Sequence, residues 1–226
     1  MEQQVISVIG LGFVGLPTAC ILANCKDKKL KNTFKVNGID RNLNKIKKDI
    51  FNFNSKSRII YEDKNLNKII KNVVSNNKIN FSDKIQEVFK SDVIIISINF
   101  DFNKKDSPKK FNELKNFFQR LGRIVKKNSL ILIETTLPPG TCDNVIIPIL
   151  KETLKKRRMK LEDICLSYSY ERVMPGKEYM NSIVNNHRCY AGMNKASSLK
   201  CRNFLKKYIN YKKFPLYEFD NLIDCE

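Results

Sequence analysis

The sequence predicts an α/β fold built on a doubly wound, mostly parallel β-sheet. Apolar runs of strand length alternate with amphipathic segments of helical length, an order typical of parallel sheets whose strands are joined by helices. A glycine-rich turn links the first apolar run to the first helical segment. The 226 residues contain no apolar run as long as the roughly 18 residues of a membrane span, so we expect no membrane partner.

Each strand is predicted from an apolar, β-branched run that turn residues bound. The five main strands are expected near Val5–Ile9, Phe34–Ile39, Val93–Ser97, Leu130–Glu134 and Ile164–Tyr168. Two minor strands are expected near Lys78–Phe81 and Arg188–Ala191. Helices are expected near Val14–Asn24, Leu43–Phe51, Asn65–Val74, Phe111–Lys126, Cys142–Lys156 and Lys195–Tyr208. Ser82 or Asp83 is expected to cap a short helix that ends near Phe89.

The organisation of the chain is simple, without internal repeats or a long flexible linker. We interpret residues 1–226 as a single domain. Within it, residues 1–192 are the expected core and residues 193–226 the start of a connecting segment.

The net charge of +19 suits a polyanion binder, so a basic polyanion-binding protein is one alternative for the function. Lysine supplies most of this charge, however, and it is spread along the chain. The densest basic cluster, Lys155–Arg158, contains none of the aromatic residues on which bases stack. We therefore expect solvated lysine-rich faces and no specific nucleic-acid partner.

The cysteine pattern indicates reduced thiols in a cytoplasmic protein. Seven cysteines are scattered without a Cys-x-x-Cys pair, and neither their odd number nor their spacing predicts a disulfide framework. The only histidine, His187, has Cys189 alone at ligand spacing, so no metal site is predicted. Cys142 stands at a predicted helix start, where a thiol pKa can fall, and a reactive thiol there is an alternative. The residues after Met1 contain no basic n-region and no small-residue cleavage site, so no secretory signal is expected.

The stretch from Gly10 to Gly15 has the spacing Gly-x-Gly-x-x-Gly between a predicted strand and a predicted helix. Gly10 permits a tight turn, Gly12 lets a pyrophosphate approach bare main chain, and Gly15 lets helix and strand pack closely. The start of the helix offers unpaired N–H groups and its positive dipole end to the phosphates. These features predict a Rossmann-like sheet with a dinucleotide site.

Asp40 ends the second predicted strand. A carboxylate at this place can accept both ribose hydroxyls of the adenosine half and repels a 2′-phosphate, which favours NAD. Arg41 follows it and could instead accept a 2′-phosphate. The alternative role of Asp40 is to cap the next helix, and one residue can do both.

Two further polar stretches follow strand ends. Glu134–Thr141 presents two threonines before a rigid Pro-Pro-Gly turn, where a hydroxyl can orient a nicotinamide or a water, and Thr141 is expected to cap the next helix. Tyr168–Lys177 places Glu171 where a glutamate could serve as a base or position a water. The alternatives are an ordinary turn for the first stretch and a surface ion pair for the Glu-Arg of the second.

In this order and spacing, the motifs resemble the nucleotide-sugar 6-dehydrogenases, the UDP-glucose/GDP-mannose dehydrogenase family. The late motifs are most similar to the UDP-N-acetylmannosamine and UDP-N-acetylglucosamine branch. The matching stretches are Gly10–Pro17, Gly38–Asp40 with Lys45, Glu134–Thr141, Glu171–Lys177 and Arg188–Gly192.

The resemblance implies roles for individual residues. Thr136 would help to place the catalytic water, with Glu171 as its partner in acid–base steps. The implied NAD-binding residues are Gly10, Gly12, Phe13, Val14, Gly15, Asp40, Lys45, Asn99 and Thr136. The implied substrate-binding residues are Tyr170, Glu171, Arg172, Val173 and Lys177.

The chain departs from the family pattern in three places. Ser97–Phe100 stands where the family has Val-Pro-Thr-Pro, and Tyr170 replaces a proline. The family's Gly-x-Cys-Phe-Pro motif, which carries the cysteine nucleophile, does not occur, so the catalytic-cysteine and UDP-binding domains are expected to be absent.

The resemblance therefore implies the NAD-binding domain of an enzyme that oxidises the C6 alcohol of a UDP-(N-acetyl)hexosamine to a uronate for polysaccharide biosynthesis. The domain is expected to be incomplete as given. Its partners would be the UDP-sugar and a C-terminal partner chain or domain. The alternative is an inactive NAD-binding remnant, or a split-protein subunit without turnover of its own.

Overall fold

The computed structural model describes residues 3–27, 29, 31–44, 46, 62–100, 102, 107–171, 173 and 176–226. Their strands form one eight-stranded sheet in the order β3-β2-β1-β4-β5-β6-β7-β8. The bounds are β1 Gln4–Ile9, β2 Phe34–Ile39, β3 Ile79–Ser82, β4 Val93–Ile96, β5 Leu130–Ile133, β6 Cys165–Tyr168, β7 Arg188–Gly192 and β8 Leu216–Glu218. β1 to β6 are parallel, β7 is antiparallel to β6, and β8 is parallel to β7.

The helices of the described residues are α1 Gly15–Asn24, α2 Lys64–Ser75, α3 Ser107–Gly122, α4 Ile147–Lys155, α5 Tyr179–Val184, α6 Lys195–Leu205 and α7 Leu222–Cys225. Short 3₁₀ helices span Ile85–Lys90 and Leu161–Asp163, and a π-helical turn, Cys142–Ile146, leads into α4. The predicted helix near Leu43–Phe51 lies mostly outside the described residues. None of the described helices is long and apolar enough to cross a membrane.

The strands β4 and β5 are apolar throughout because both of their faces are covered. In β4, Val93 and Ile95 face one hydrophobic layer. Ile94 and Ile96 face the other layer, as the two-residue period of a strand requires. Helices α1, α2 and α6 cover the first layer, and α3 and α4 cover the second. The predicted doubly wound, mostly parallel sheet is confirmed.

Three short elements, β8, α5 and α7, were not predicted. β8 has three residues, of which Tyr217 and Glu218 are exposed, so it lacks the apolar pattern of a buried strand. The short helix after β3 begins after Lys84 without a side-chain cap. Ser82 accepts a hydrogen bond from the Lys84 amide at 3.1 Å instead, so capping by Ser82 or Asp83 was wrong.

Candidate functional site

The glycine-rich turn lies where the strand order of the sheet reverses. β1 has β2 on one side and β4 on the other, and ligands of open α/β sheets bind beyond the carboxyl ends of the strands at such a point. The Gly10 amide donates to the Ile39 carbonyl at 2.8 Å, and the Ser97 amide donates to the Ile9 carbonyl at 2.8 Å. The ends of β1, β2 and β4 therefore converge on the turn.

The three glycines of this turn meet three different steric demands. Gly10 has a φ of +91°, and a Cβ there would stand 2.7 Å from the Ser97 carbonyl oxygen. A Cβ at Gly15 would stand 1.8 Å from the Gly10 carbonyl oxygen, so α1 approaches the turn closely only because residue 15 is glycine. Nothing lies within 4 Å of a Cβ added at Gly12. Open space over bare main chain fits the pyrophosphate of a dinucleotide.

Helix α1 begins directly at this open main chain. Its residues from Gly15 to Ala23 are all buried, which fixes the start of the helix relative to the sheet. Among the described residues, the amides of Gly12 and Val14 donate to no main-chain oxygen. These N–H groups and the positive end of the helix dipole make the turn a favourable place for an anion.

The carboxylate of Asp40 is already bound to the turn. Its Oδ2 accepts from the Leu11 amide at 2.8 Å, and its Oδ1 accepts from the Asn42 amide at 2.7 Å. Each carboxylate oxygen has further acceptor capacity, so Asp40 can hold the turn and still accept ribose hydroxyls. Lys45, its expected partner on the adenosine side, lies outside the described residues.

The two threonines after β5 differ in exposure. Thr135 is buried, and its hydroxyl donates to the Ile98 carbonyl at 2.6 Å, which ties the loop after β4 to the end of β5. Thr136 is exposed, and so is Asn99 on the loop that Thr135 holds. The structure thus leaves these two predicted ligand-binding residues open to solvent at the end of the sheet that carries the turn.

Aromatic packing anchors the loop after β4, where two family prolines are missing. Phe100 is buried, and its ring centroid lies 6.2 Å from that of Phe102 and 6.3 Å from that of Phe117 on α3. Such ring pairs add to the stability that burial alone provides. The loop is therefore held in place without the conformational restriction of proline.

The prediction that Thr141 caps the helix after the Pro138–Thr141 turn was wrong. The Thr141 hydroxyl donates back to the Pro138 carbonyl and caps no helical amide. The carboxylate of Glu226 caps the helix instead, because it accepts from the Gly140 amide and, at 2.7 Å, from the Cys142 amide.

Cys142 itself is buried, and burial together with the Glu226 carboxylate raises the pKa of its thiol. A reactive thiol at Cys142 is therefore disfavoured.

Glu171 belongs to a buried cluster of charges. Its carboxylate forms an ion pair with Nη2 of Arg188 on β7. Nη1 of Arg188 lies 3.5 Å from Oε1 of Glu134. The Tyr208 hydroxyl completes the cluster, 3.4 Å from Arg188 and 3.5 Å from Glu134. The side chains of Arg188, Glu134 and Glu171 are 2%, 0% and 2% exposed, so this is not the surface ion pair that was the alternative for Glu171.

The cluster raises the pKa of both Glu134 and Arg188, for different reasons. Burial raises the pKa of Glu134, and the positive charge of Arg188 only partly opposes this effect. The negative charges of Glu171 and Glu134 raise the pKa of Arg188, although its burial acts in the other direction. Arg188 is therefore the fixed positive charge that holds two carboxylates beside the ends of β5 and β6.

The remaining predicted substrate-binding residues are spread over a longer segment. Tyr170 and Lys177 are exposed, and Val173 is half-buried against the core. Lys177 lines an open cleft of about 520 Å³ whose other walls include Glu62 and α5. Arg172 lies outside the described residues.

Four residues that the structure places around the site were not singled out as functional from the sequence. They are Asp63, Tyr179, Tyr208 and Glu226. Asp63 carried a recognisable signal, because an aspartate directly before a helical segment is a preferred N-cap. The other three act through contacts between distant parts of the chain, and no local pattern marks them.

The fold and the turn together define a Rossmann-type dinucleotide-binding domain. A family model described as the NAD-binding domain of the UDP-glucose/GDP-mannose dehydrogenase family matches residues 4–210. The chain belongs to this family, and the resemblance drawn from its motifs is confirmed.

Individual relatives agree with this assignment. A UDP-N-acetyl-D-mannosamine dehydrogenase of Methanococcus maripaludis strain C7 is 28% identical over 210 residues, which cover 92% of this chain and 43% of the relative. A second such enzyme, from strain S2 of the same species, is 30% identical over 90% of this chain and 42% of its own length. The solved structure of a UDP-D-ManNAc dehydrogenase from Pyrococcus horikoshii matches with a TM-score of 0.79 at 23% identity, over 99% of this chain and 48% of that one. The chain thus spans less than half the length of these relatives.

Proposed function

We propose that this chain binds NAD and is the cofactor-binding part of a nucleotide-sugar 6-dehydrogenase. The parent reaction would be the oxidation of the C6 alcohol of a UDP-N-acetylhexosamine to a carboxylate, in the service of polysaccharide biosynthesis. The observation that carries the proposal is the open space over Gly12, between a close-packed Gly10–Gly15 contact and a strand-end aspartate, Asp40.

The residues present fit the group that the family implies. NAD, when bound, supplies the hydride acceptor, and the protein supplies placement and electrostatics. The main chain of Gly12, Phe13 and Val14 would hold the pyrophosphate. Asp40 would accept the ribose hydroxyls, and its negative charge supports NAD over NADP because it repels a 2′-phosphate.

The proposed catalytic pair is Thr136 and Glu171. Exposure of Thr136 at the end of β5 supports a role in orienting a water or the nicotinamide. For Glu171, the ion pair with Arg188 supports a carboxylate held in a fixed orientation, as positioning a water or a proton requires. Tyr170, Val173 and Lys177 are proposed to line the approach of the UDP-sugar.

Turnover is proposed to need a second domain or a partner chain. The chain covers 43% of a UDP-N-acetyl-D-mannosamine dehydrogenase of Methanococcus, so most of that enzyme has no counterpart here. The four described cysteines with the strongest burial, Cys20, Cys142, Cys201 and Cys225, have thiol pKa values raised by desolvation, which disfavours a nucleophile within this chain. The seven free thiols support a cytoplasmic location for the protein.

The decisive variant is Gly12→Val. The added side chain meets open space in the free protein, so we expect a nearly unchanged melting temperature and loss of measurable NAD binding in calorimetric titration. Ala196→Val, an exposed position on α6, is the matched control and should bind NAD like the parent. Tight NAD binding by Gly12→Val, or none by the parent chain, would contradict the proposed site.

Catalytic competence is tested separately from binding. The chain is combined with the remaining half of a related UDP-N-acetyl-D-mannosamine dehydrogenase and a series of UDP-sugars, and NADH formation is followed by the absorbance of the reduced nicotinamide. Turnover that Thr136→Val lowers would support the proposed enzyme. NAD binding without turnover in any combination would support the inactive remnant instead.

A further inference from the structure

Helix α5 returns to the glycine-rich turn from a distant part of the chain. Tyr179, its first residue, is 1% exposed, and its hydroxyl donates to the main-chain carbonyl of Phe13. The two rings also meet edge to face, with centroids 5.3 Å apart and planes at 79°. Phe13 stands between the second and third glycines, so Tyr179 contacts the part of the turn that would face the dinucleotide.

This contact fixes the orientation of one peptide group in the turn. The carbonyl of Phe13 and the N–H of Val14 belong to the same planar trans peptide, in which they point in opposite directions. A hydrogen bond that holds the carbonyl on the side of Tyr179 therefore directs the Val14 N–H to the other side. That N–H donates to no main-chain oxygen of the described residues, and it is one of the groups assigned to the pyrophosphate.

A second anchor holds α5 against the neighbouring helix. The buried carboxylate of Asp63 caps α2 through Oδ1, which accepts from the amides of Asn65 and Leu66 at 2.8 and 3.1 Å. Its Oδ2 accepts from the amide of Met180 at 2.8 Å. Residues 179 and 180 are thus tied to two different elements, which leaves α5 little freedom to move without disturbing the turn.

The other end of this segment connects to the buried cluster of charges. Eight residues before Tyr179, Glu171 pairs with Arg188, and the negative charge of Glu171 adds to burial in raising the pKa of the Tyr179 hydroxyl. Burial is the larger effect. The hydroxyl is therefore kept protonated as a donor, and the segment that carries the proposed substrate-binding residues runs from the cluster to the turn.

We propose that Tyr179 is a positioning residue of the cofactor site, whose hydroxyl orients the Phe13–Val14 peptide for the dinucleotide and couples occupancy of the turn to the order of residues 176–184. The proposal rests on the proposed NAD site and deepens it. Coupling of this kind is reciprocal. A ligand that orders α5 from the substrate side tightens NAD binding, and NAD tightens that ligand.

The test compares Tyr179→Phe with the parent chain, since the variant keeps the ring and removes only the hydroxyl. NAD affinity is expected to fall roughly three- to tenfold, the range of one hydrogen bond. Hydrogen exchange followed by mass spectrometry provides the second readout. In the parent, NAD should slow exchange of the peptide that contains residues 176–184, and in Tyr179→Phe this protection should be lost.

Tyr190→Phe is the matched control. Tyr190 is also 1% exposed, and its hydroxyl donates to Oε2 of Glu218 at 2.7 Å on the β7–β8 edge. This variant should lose similar stability and keep both NAD affinity and the protection of residues 176–184. A parent chain that does not bind NAD would overturn the cofactor site and this proposal with it.

Two outcomes overturn the proposal and leave the cofactor site intact. One is equal NAD affinity and equal protection in the parent and in Tyr179→Phe. The other is NAD binding by the parent without slower exchange in residues 176–184, a measurement that needs no variant and therefore holds even where Tyr179→Phe fails to fold.

Discussion

The buried cluster around Arg188 predicts that the variant Arg188→Met is strongly destabilised. Methionine has a similar length and no charge, so the variant removes the one guanidinium that Glu134 and Glu171 share. Both carboxylates are at most 2% exposed, and solvent therefore screens the loss very little. Breaking a buried pair by removing one partner costs about 3 to 5 kcal/mol.

The cost of protonating a carboxylate that has lost its cation gives an independent estimate of the loss in free energy of unfolding. One pKa unit corresponds to about 1.36 kcal/mol, so protonating one glutamate at pH 7 from an unfolded pKa of about 4.3 costs about 3.7 kcal/mol. The other carboxylate, also left without a cation, can share this proton or accept a hydrogen bond from the Tyr208 hydroxyl. We therefore expect the free energy of unfolding at pH 7 to fall by about 3 to 5 kcal/mol.

The deficit is also expected to depend on pH. Burial already raises the pKa of Glu134 in the folded parent, against the effect of Arg188, and removing Arg188 raises it further. A group whose folded pKa exceeds its unfolded pKa contributes stability that is fully present below the unfolded value and is lost as pH rises through the folded value. The difference between variant and parent should therefore shrink from pH 7.5 toward pH 5.

Urea denaturation followed by circular dichroism measures this directly. The control is Lys156→Met, which removes the cation of an exposed ion pair with Glu152, at 2.6 Å and with side chains 72% and 65% exposed. Because both side chains are mostly exposed, it should leave the free energy of unfolding nearly unchanged at either pH. A loss below about 1 kcal/mol for Arg188→Met, or a deficit of equal size at both pH values, would show that the cluster is not the buried ion triad described above.

Two further predictions concern the carboxylates that hold the turn and α5. Asp40→Asn should weaken NAD binding by about 1 to 3 kcal/mol, because the ribose loses a charged acceptor. It should also reduce the preference for NAD over NADP. Calorimetric titrations with both cofactors measure the two affinities, and unchanged affinities in the variant would contradict the role assigned to Asp40. Asp63→Ala should lower the free energy of unfolding by about 0.5 to 2 kcal/mol for the lost cap. Hydrogen exchange of residues 176–184 should become faster in that variant, and unchanged exchange there would refute the link from Asp63 to Met180.

The strands were predictable because their determinants are local. Each of β4 and β5 is a run of four apolar residues buried on both faces, a pattern that few other structures accommodate. The glycine-rich turn was predictable for the same reason, since the positive φ of Gly10 and the close approach at Gly15 involve only the strand ends and the first helix.

The misjudged cap at Thr141 shows where local reasoning fails. A threonine before a helix is a preferred N-cap, but here the Pro138 carbonyl takes its hydroxyl proton. The helical amides are satisfied by Glu226, a residue 84 positions from Cys142. The competing acceptor is local, three residues before Thr141. The competing cap depends on how the end of the chain packs, and the sequence around Thr141 carries no information about that packing.

The contacts that join the two proposed binding regions have the same long-range character. Tyr179 reaches Phe13 across 166 positions, and Met180 reaches Asp63 across 117. A single phenol and a single carboxylate therefore connect the segment expected to meet the sugar with the turn expected to hold the cofactor. Because the side chains of Tyr179 and Asp63 are buried, breaking either contact leaves a buried polar group without that partner. The proposed cofactor and substrate regions are therefore expected to be ordered together, which would hold the two ligands at the fixed separation that the proposed hydride transfer requires.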